Sequence, residues 1–118
     1  MRLNFWRALT DNDRGTRAGS RLGCWRDAGD TPGIFNNTKW SIEGYKILDD
    51  GKKVVVTSGA TVCTQPESKA SIVYTITSKG MEINLHFYPD PSLPEIPEVS
   101  LLFELPKDFE NVTYLGNG

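Results

Sequence analysis

The stretch that decides the fold is residues 70–88, which read ASIVYTITSKGMEINLHFY. In its second half, apolar side chains stand at every second position: Met81, Ile83, Leu85 and Phe87. The first half, from Ala70 to Thr77, alternates in the same way. A period of two residues indicates a half-buried strand, and the intervening Ser78-Lys79-Gly80 is typical of a tight turn. The stretch therefore predicts an antiparallel hairpin with one apolar face.

The sequence before this hairpin predicts a second one. Trp40–Leu48 and Lys52–Thr64 both have strand character, and Asp50-Gly51 between them favours a type I′ turn. Gly59 is a candidate for a bulge or bend, because glycine weakens a regular strand. A turn is predicted at 65–68, where Gln-Pro-Glu-Ser precedes the next strand.

The sequence after the hairpin is rich in proline. Four prolines lie within nine residues and predict a stiff, extended crossover over Pro89–Pro97, since proline cannot donate to a strand ladder. Alternation resumes over Val99–Leu105, and Val112–Leu115 begins a last predicted strand. With Arg2–Leu9 as an opening strand, the chain is predicted to be mainly β. Six or seven strands with short connections indicate an antiparallel β-sandwich.

One short helix is predicted near the N-terminus. Apolar side chains from Leu22 to Ala28 have helical spacing, with Ser20 as a candidate N-cap and Gly29 as a candidate stop. Trp25 is expected to anchor the preceding loop. Asp30–Thr38 reads as an irregular connection, because it is rich in turn-forming residues.

The segment Leu3–Gly15 reads LNFWRALTDNDRG and is expected to pass from a strand into a tight loop over Thr10–Gly19. Its polar residues can accept hydrogen bonds from nearby backbone N–H groups, and Gly15 permits a positive φ at the exit. Residue types alone favour an Asx-type turn between a strand and a short helix. A calcium loop is disfavoured, since Arg14 and Arg17 intrude among the oxygen ligands that such a loop needs.

Residues 5–15 also resemble the Phe-Trp-Arg-Ala-Pro-Thr-Asp-Asn-Asp-x-Gly opening of the small-chain domain of lacZ-type β-galactosidases, glycoside hydrolase family 2. Three later segments are similar to that domain in the same order: Cys24–Gly29, Leu93–Pro106 and Val112–Gly118. The chain departs from the family pattern at Leu9, where the family has Pro. It also departs at Glu98 and Ser100, where the family has Arg and Gly.

The resemblance implies a fold and a role. The chain would be the N-terminal part of domain 5, a galactose-mutarotase-like β-supersandwich, and the catalytic glutamates would belong to a separate (β/α)8 barrel. The small-chain domain packs beside that barrel and carries a mobile loop near the sugar. Carried to this sequence, the loop runs from Gly15 to about Arg21, and Gly19 and Gly23 are further positions able to absorb backbone motion. Its base is formed by Thr10, Asp11, Asn12 and Asp13.

The resemblance also implies partners and cofactors. The partners would be the remaining domains of a parent β-galactosidase, chiefly the barrel, with the β-galactoside contacted only indirectly. No cofactor or metal is expected in this segment, although the parent enzyme would use Mg²⁺ or Na⁺ in other domains. A fragment of a sandwich leaves an unpaired strand edge, which predicts self-association.

Charge and composition exclude several classes of function. The net charge of −2 disfavours a nucleic-acid partner, although residues 1–26 hold six arginines against two aspartates. Those arginines are expected to pair with carboxylates. No signal-like segment and no run approaching ~20 apolar residues is present, so no membrane or export segment is expected and a cytoplasmic location is favoured. Two cysteines, Cys24 and Cys63, suit free thiols better than a disulfide scaffold.

The residues point to no catalytic site. Asp11 and Asp13 are the best local pair of carboxylates, but hydrogen bonds in a turn would hold them acidic rather than ready to donate a proton. His86, the sole histidine, falls on the polar face of a strand and is expected to face solvent. No catalytic residue is therefore assigned, and the isolated chain is expected to be inactive.

An alternative is a free-standing carbohydrate-binding or protein-interaction sandwich. Such a module would expose aromatic side chains on one face, and the candidates are Trp40, Tyr45, Tyr74 and Tyr88. Simple alternation places Trp40 and Tyr45 on opposite faces of one strand, which disfavours this alternative.

Overall fold

The computed structural model describes residues 2–15, 18–29 and 38–116. Within these ranges the chain forms six strands: β1 Arg2–Asn4, β2 Thr38–Leu48, β3 Lys53–Val62, β4 Ser68–Thr77, β5 Gly80–Tyr88 and β6 Ser100–Leu102. Three short helices lie near the N-terminus: α1 Asp11–Gly15, α2 Ala18–Arg21 and α3 Gly23–Ala28. The strands form an antiparallel sheet of four, in the order β2-β3-β4-β5, and a small antiparallel sheet of β1 and β6. The predicted mainly β, antiparallel architecture is confirmed.

The hairpin predicted over residues 70–88 is β4 and β5. Met81 lies opposite Ile76 and Phe87 opposite Ala70, so the apolar residues of the two strands share one face. That face continues across the four strands because directly opposed residues point to the same side of a sheet. We call it the apolar face. Its apolar side chains are Trp40, Ile42, Tyr45 and Ile47 on β2; Val54, Val56, Ala60 and Val62 on β3; Ala70, Ile72, Tyr74 and Ile76 on β4; and Met81, Ile83, Leu85 and Phe87 on β5.

A bulge in β2 keeps that strand in phase with the apolar face. The register shifts between Ile42 and Gly44, so Glu43 is the extra residue. Trp40 lies opposite Ala60 and Tyr45 opposite Val56, and these partners share a face. The prediction that Trp40 and Tyr45 occupy opposite faces is therefore wrong, because the extra residue reverses the alternation. Gly59 is regularly paired and is not itself the bulge; the carboxylate of Glu43 lies where its side chain would stand.

The turns lie where the residue types predict them. Asp50 and Gly51 both have positive φ, and Lys52 N–H donates to the carbonyl of Asp49 at 3.1 Å, as the predicted type I′ turn requires. Ser78-Lys79 connects β4 directly to β5, as predicted. The predicted turn at 65–68 contains a cis peptide bond before Pro66.

The core lies at one end of the four-stranded sheet. There β1 and α3 cover the apolar face, and Leu3, Phe5 and Trp25 are fully buried. The rings of Phe5 and Trp25 stand 4.8 and 6.0 Å from the ring of Phe87, measured between centroids. Trp25 Nε1 donates to the carbonyl of Pro94 at 3.0 Å, so the indole anchors the proline-rich crossover as well as α3. That crossover contains no strand, as predicted.

Several predicted bounds were wrong. The opening strand ends at Asn4 rather than Leu9, and the predicted strand Val99–Leu105 is reduced to β6, which pairs only with β1. Val112–Leu115 forms no strand, because no described strand lies beside it; Val112, Tyr114 and Leu115 are 75% exposed or more.

The helical region also differs from its prediction. The single predicted helix is two short ones, α2 and α3, preceded by α1. Ser20 lies within α2, and the N-cap of α3 is Leu22 instead, whereas Gly29 ends α3 as predicted. Of the predicted connection Asp30–Thr38, all but Thr38 lies outside the described residues, and Thr38 begins β2. None of the helices in the described ranges has the length and apolar character needed to span a bilayer.

Candidate functional site

The start of α1 is fixed by a reciprocal pair of hydrogen bonds. Asp13 N–H donates to Thr10 Oγ1 at 3.3 Å, and Thr10 N–H donates to the Asp13 carboxylate at 2.8 Å. This is a capping box, in which the N-cap and the third helical residue satisfy each other's backbone donors. The hydroxyl of Thr10 adds a bond to the same carboxylate at 2.8 Å. The predicted hydrogen bonding of this stretch to its own backbone is confirmed for Asp13. The predicted loop over Thr10–Gly19 is wrong, because residues 11–15 form α1 and α2 begins at Ala18.

Arg7 links this turn to the residues that precede it. Its two terminal nitrogens donate to the two oxygens of Asp13 at 2.7 and 3.2 Å, which is the bidentate geometry that favours an arginine. Hydrogen bonds from Thr10 and Arg7 together hold the pKa of Asp13 below its usual range. A carboxylate held ionised in this way cannot serve as a general acid near neutral pH. Asp13 is therefore a structural anchor, as its place in a turn predicted.

The other predicted residues of the loop base lie on the surface. Thr10, Asp11, Asn12 and Gly15 are exposed, and Arg14 pairs with Asp11 at 3.2 Å. Gly15 ends α1 without a positive φ, so the predicted left-handed exit is wrong. A Cβ placed on Gly15 would meet no atom within 4 Å.

The far side of the predicted mobile loop is anchored differently. Part of that loop, Thr16 and Arg17, lies outside the described residues. Beyond it, Arg21 at the end of α2 forms an ion pair with Glu95 in the proline-rich crossover. The next residue, Leu22, is buried in the core. The loop is thus bounded by Arg7–Asp13 on one side and by Arg21–Glu95 on the other.

Glu98 and Ser100, which depart from the family pattern, contact each other. Ser100 Oγ donates to Glu98 Oε1 at 2.6 Å, and Asn4 Nδ2 lies 3.1 Å from each of the two side chains. Asn4 also bonds the backbone of Trp6, so this cluster joins the end of the crossover to β1. Glu98, Ser100 and Asn4 thus form a polar link within the chain.

The described arginines, the two thiols and the histidine behave as predicted. Five of the six N-terminal arginines pair with carboxylates: Arg2 with Glu104, Arg7 with Asp13, Arg14 with Asp11, Arg21 with Glu95 and Arg26 with Asp27. The sixth, Arg17, lies outside the described residues. Cys24 and Cys63 are free thiols, and His86 is exposed. In the described part of the chain, no group of three or more His, Cys, Asp or Glu side chains is placed to hold a metal ion.

All of residues 1–118 match the sequence model of a family described as beta galactosidase small chain. The chain belongs to this family. Among curated proteins, it is 30% identical to a beta-galactosidase of Priestia megaterium over 119 residues and to one of Streptococcus thermophilus over 118 residues. These alignments cover 100% and 99% of the chain and 11% of each relative. The chain is 27% identical to a beta-galactosidase small subunit of Latilactobacillus sakei, covering 95% of the chain and 39% of the relative.

The small-chain segment thus spans about a tenth of the length of the two longer relatives and about two-fifths of the small subunit. No solved structure matches it significantly. The sequence predicts hydrogen bonding within Thr10–Asp13 but does not identify Arg7 and Glu95 as residues that anchor this part of the chain. Arg7 lies within the recognised motif, whereas nothing local to Glu95 indicates that Arg21 is its partner.

The far end of the apolar face is left uncovered by the described residues. We call this the open half-face; it consists of Ile42, Tyr45, Ile47, Val54, Val56, Tyr74, Ile76, Met81 and Ile83. Ile42 is 76% exposed, Tyr45 71% and Ile47 61%. The buried core and the side chains packed on it include none of these nine residues. An apolar surface of this kind marks an interaction site, since a soluble protein rarely leaves one exposed.

Proposed function

We propose that this chain is a non-catalytic segment of a lacZ-type β-galactosidase of glycoside hydrolase family 2. In this role it packs against the rest of the enzyme, chiefly the catalytic barrel, and carries a mobile loop beside the galactoside. The observation that carries the proposal is the open half-face, together with a family match over the whole chain. A sheet that is apolar on one side needs a covering layer, and the described residues supply one only at the core end.

The mobile loop is assigned to residues 15–21, next to Thr10, Asp11, Asn12 and Asp13. Arginine-carboxylate pairs flank it, Arg7–Asp13 before it and Arg21–Glu95 at its end, and fixed ends would confine a motion to the residues between them. Bond cleavage is assigned to other domains, because hydrogen bonds from Thr10 and Arg7 keep Asp13 ionised and so unsuited to act as a general acid. Any Mg²⁺ or Na⁺ that the enzyme uses is likewise assigned to other domains.

The loop assignment is tested in a chimera. Residues 1–118 replace the homologous segment of the Priestia megaterium beta-galactosidase, and Gly15→Ala is introduced. An added Cβ at Gly15 meets no atom and no positive φ forbids it, so the substitution restricts backbone freedom without disturbing the described conformation. We expect KM and kcat for a chromogenic galactoside to change together, as they do when a hinge is stiffened.

Gly44→Ala is the matched control, because Gly44 is equally unhindered but lies in the β2 bulge. Unchanged constants in Gly15→Ala would remove the loop assignment. Equal changes in both variants would also remove it, since the effect would then not be local. Hydrolysis of the galactoside by the isolated chain would overturn the non-catalytic role.

One observation favours a second candidate function, that of a carbohydrate-binding or protein-interaction module. Tyr45 and Tyr74 both lie opposite Val56, so two aromatic rings share one row of the open half-face. Their neighbours are aliphatic rather than polar, which favours a protein partner over a sugar, because sugar sites combine aromatic rings with hydrogen-bonding groups. Titration calorimetry of the isolated chain with galactose and lactose separates the cases: measurable heat supports sugar binding.

A further inference from the structure

The proline-rich crossover provides a fixed point beside the proposed mobile loop. The carbonyl of Pro94 accepts a hydrogen bond from Trp25 Nε1 at 3.0 Å, and Trp25 is fully buried. Leu93 and Ile96 pack against the core on either side of this bond. Proline further restricts the backbone, because its ring fixes φ. Glu95, which lies between Pro94 and Ile96, is therefore carried by a backbone that is held on both sides.

Helix α2 is too short to be stable by itself. It contains the four residues Ala18–Arg21, whereas isolated helices shorter than about 12–15 residues are marginal in water. Its direction therefore depends on contacts with other parts of the chain. A Cβ placed on Gly19 would lie 3.3 Å from Leu9 Cδ1, but this contact joins the two arms of the loop to each other. Leu22, which follows α2, is buried in the core and fixes one point; a second is needed to set a direction.

The ion pair between Arg21 and Glu95 supplies this second point. Arg21 is the last residue of α2, and its guanidinium reaches the crossover. The hydrogen bond from Arg21 holds the pKa of Glu95 below its usual range, so both groups are charged near neutral pH. Arginine suits this task, because its planar guanidinium stays charged and binds a carboxylate with a defined geometry. The pair thus joins the end of α2 to the fixed backbone of the crossover.

We propose that Glu95 is a positioning residue for galactoside hydrolysis. By holding Arg21, it sets the direction in which the loop leaves the core, so less conformational freedom is lost when the galactoside binds. This inference rests on the proposed role of residues 15–21 as the loop beside the sugar. Ordering a loop in advance strengthens substrate binding and leaves the chemical step unaltered. The expected signature of losing Glu95 is therefore a higher KM at constant kcat.

The first test uses the chimera in which residues 1–118 replace the homologous segment of the Priestia megaterium beta-galactosidase. Glu95→Gln keeps the size of the side chain and removes its charge. We expect KM for a chromogenic galactoside to rise about two- to fivefold, since the side chains of Arg21 and Glu95 are 47% and 63% exposed and an exposed ion pair supports no more. The value of kcat should not change.

Three further variants test whether the two residues act as a pair. Arg21→Gln should raise KM by the same factor as Glu95→Gln, and the double variant by no more than either alone, because each substitution removes the same contact. Reversing the charges with Arg21→Glu and Glu95→Arg should bring KM back toward the unsubstituted value. The matched control is Glu104→Gln, since Glu104 pairs with Arg2 of β1 at 2.9 Å and is 72% exposed. It should leave KM unchanged.

Hydrogen exchange in the same chimera tests the structural step. The backbone amides of residues 18–21 should exchange faster in Glu95→Gln than in the unsubstituted chimera, and at the unsubstituted rate in Glu104→Gln. Unchanged exchange in Glu95→Gln would overturn the proposal. So would an unchanged KM, additive effects in the double variant, or equal effects of Glu95→Gln and Glu104→Gln. A fall in kcat together with the thermal midpoint would show a merely structural role and would also overturn it.

The outcomes separate the role of Glu95 from the loop assignment itself. If Gly15→Ala changes both constants and Glu95→Gln changes neither, the loop assignment stands and Glu95 is not a positioning residue. If Gly15→Ala leaves both constants unchanged, the loop assignment fails, and the role of Glu95 fails with it.

Discussion

Asp13 illustrates how a single side chain shapes the candidate loop. It accepts hydrogen bonds from Thr10 and Arg7, which lower its pKa in the folded chain. A group whose pKa is lower in the folded than in the unfolded state stabilises the fold above the unfolded pKa, about 3.9 for aspartate, and this stabilisation is lost as the pH falls through the folded pKa. Asp13→Asn keeps one acceptor oxygen but removes the charge. We expect it to lower the thermal midpoint at pH 7, with a difference from the unsubstituted chain that shrinks below about pH 4.

The control for this prediction is Asp11→Asn. Asp11 also lies in α1 and pairs with an arginine, but its side chain is 98% exposed, so its loss should matter little. Thermal melts of both variants across this pH range measure the two effects. A difference for Asp13→Asn that is independent of pH would mean that the lost charge is not the cause.

At the scale of elements, the close approach of α3 to β1 depends on Gly29. A Cβ there would stand 3.3 Å from the backbone nitrogen of Phe5 and 3.7 Å from the Leu3 carbonyl oxygen, so strand backbone would have to move. We expect Gly29→Ala to lower the free energy of unfolding by about 1–3 kcal/mol, the usual cost of overpacking. Gly23→Ala, at the other end of α3, has 3.8 Å to its nearest neighbour and should raise it by about 0.5 kcal/mol. Urea denaturation measures both, and a Gly29→Ala variant as stable as Gly23→Ala would contradict the close packing.

The elements also show what the sequence could and could not predict. The hairpin of β4 and β5 was predictable, because its alternation and its turn are local properties of residues 70–88. The bulge at Glu43 was not, since an extra residue is recognised only against the register of the partner strand. Val112–Leu115 has the alternating pattern of a strand but forms none. A strand also needs a neighbouring strand to pair with, and the local sequence does not show whether one is present. The hydrogen-bonded turn at Thr10–Asp13 was predictable from its residue types, whereas the Arg21–Glu95 pair depends on where the crossover lies.

For the whole molecule, the decisive feature is the four-stranded sheet, which the described residues cover at one end only, within an elongated shape of 55 × 34 × 28 Å. If the open half-face contacts the rest of the enzyme, its side chains contribute little to the stability of the isolated chain. They contribute much to the stability of the assembled enzyme. Tyr45→Thr with Ile47→Thr keeps good strand formers at two exposed positions. In the isolated chain, we expect the free energy of unfolding to change by no more than about 0.5 kcal/mol per site. We also expect the chain to bind less of a hydrophobic dye.

In the chimeric β-galactosidase, the same pair of substitutions should lower thermal stability clearly, because aromatic and aliphatic contacts to the covering layer are lost, at about 1.5–3 kcal/mol for each large side chain that is buried there. Lys46→Thr lies between the two positions but on the polar face, so it tests substitution in β2 without touching the half-face. It should leave dye binding by the isolated chain and the stability of the chimera nearly unchanged. If the double variant were harmless in the chimera, the half-face would remain exposed to solvent in the enzyme, and the proposed packing of this segment would be wrong.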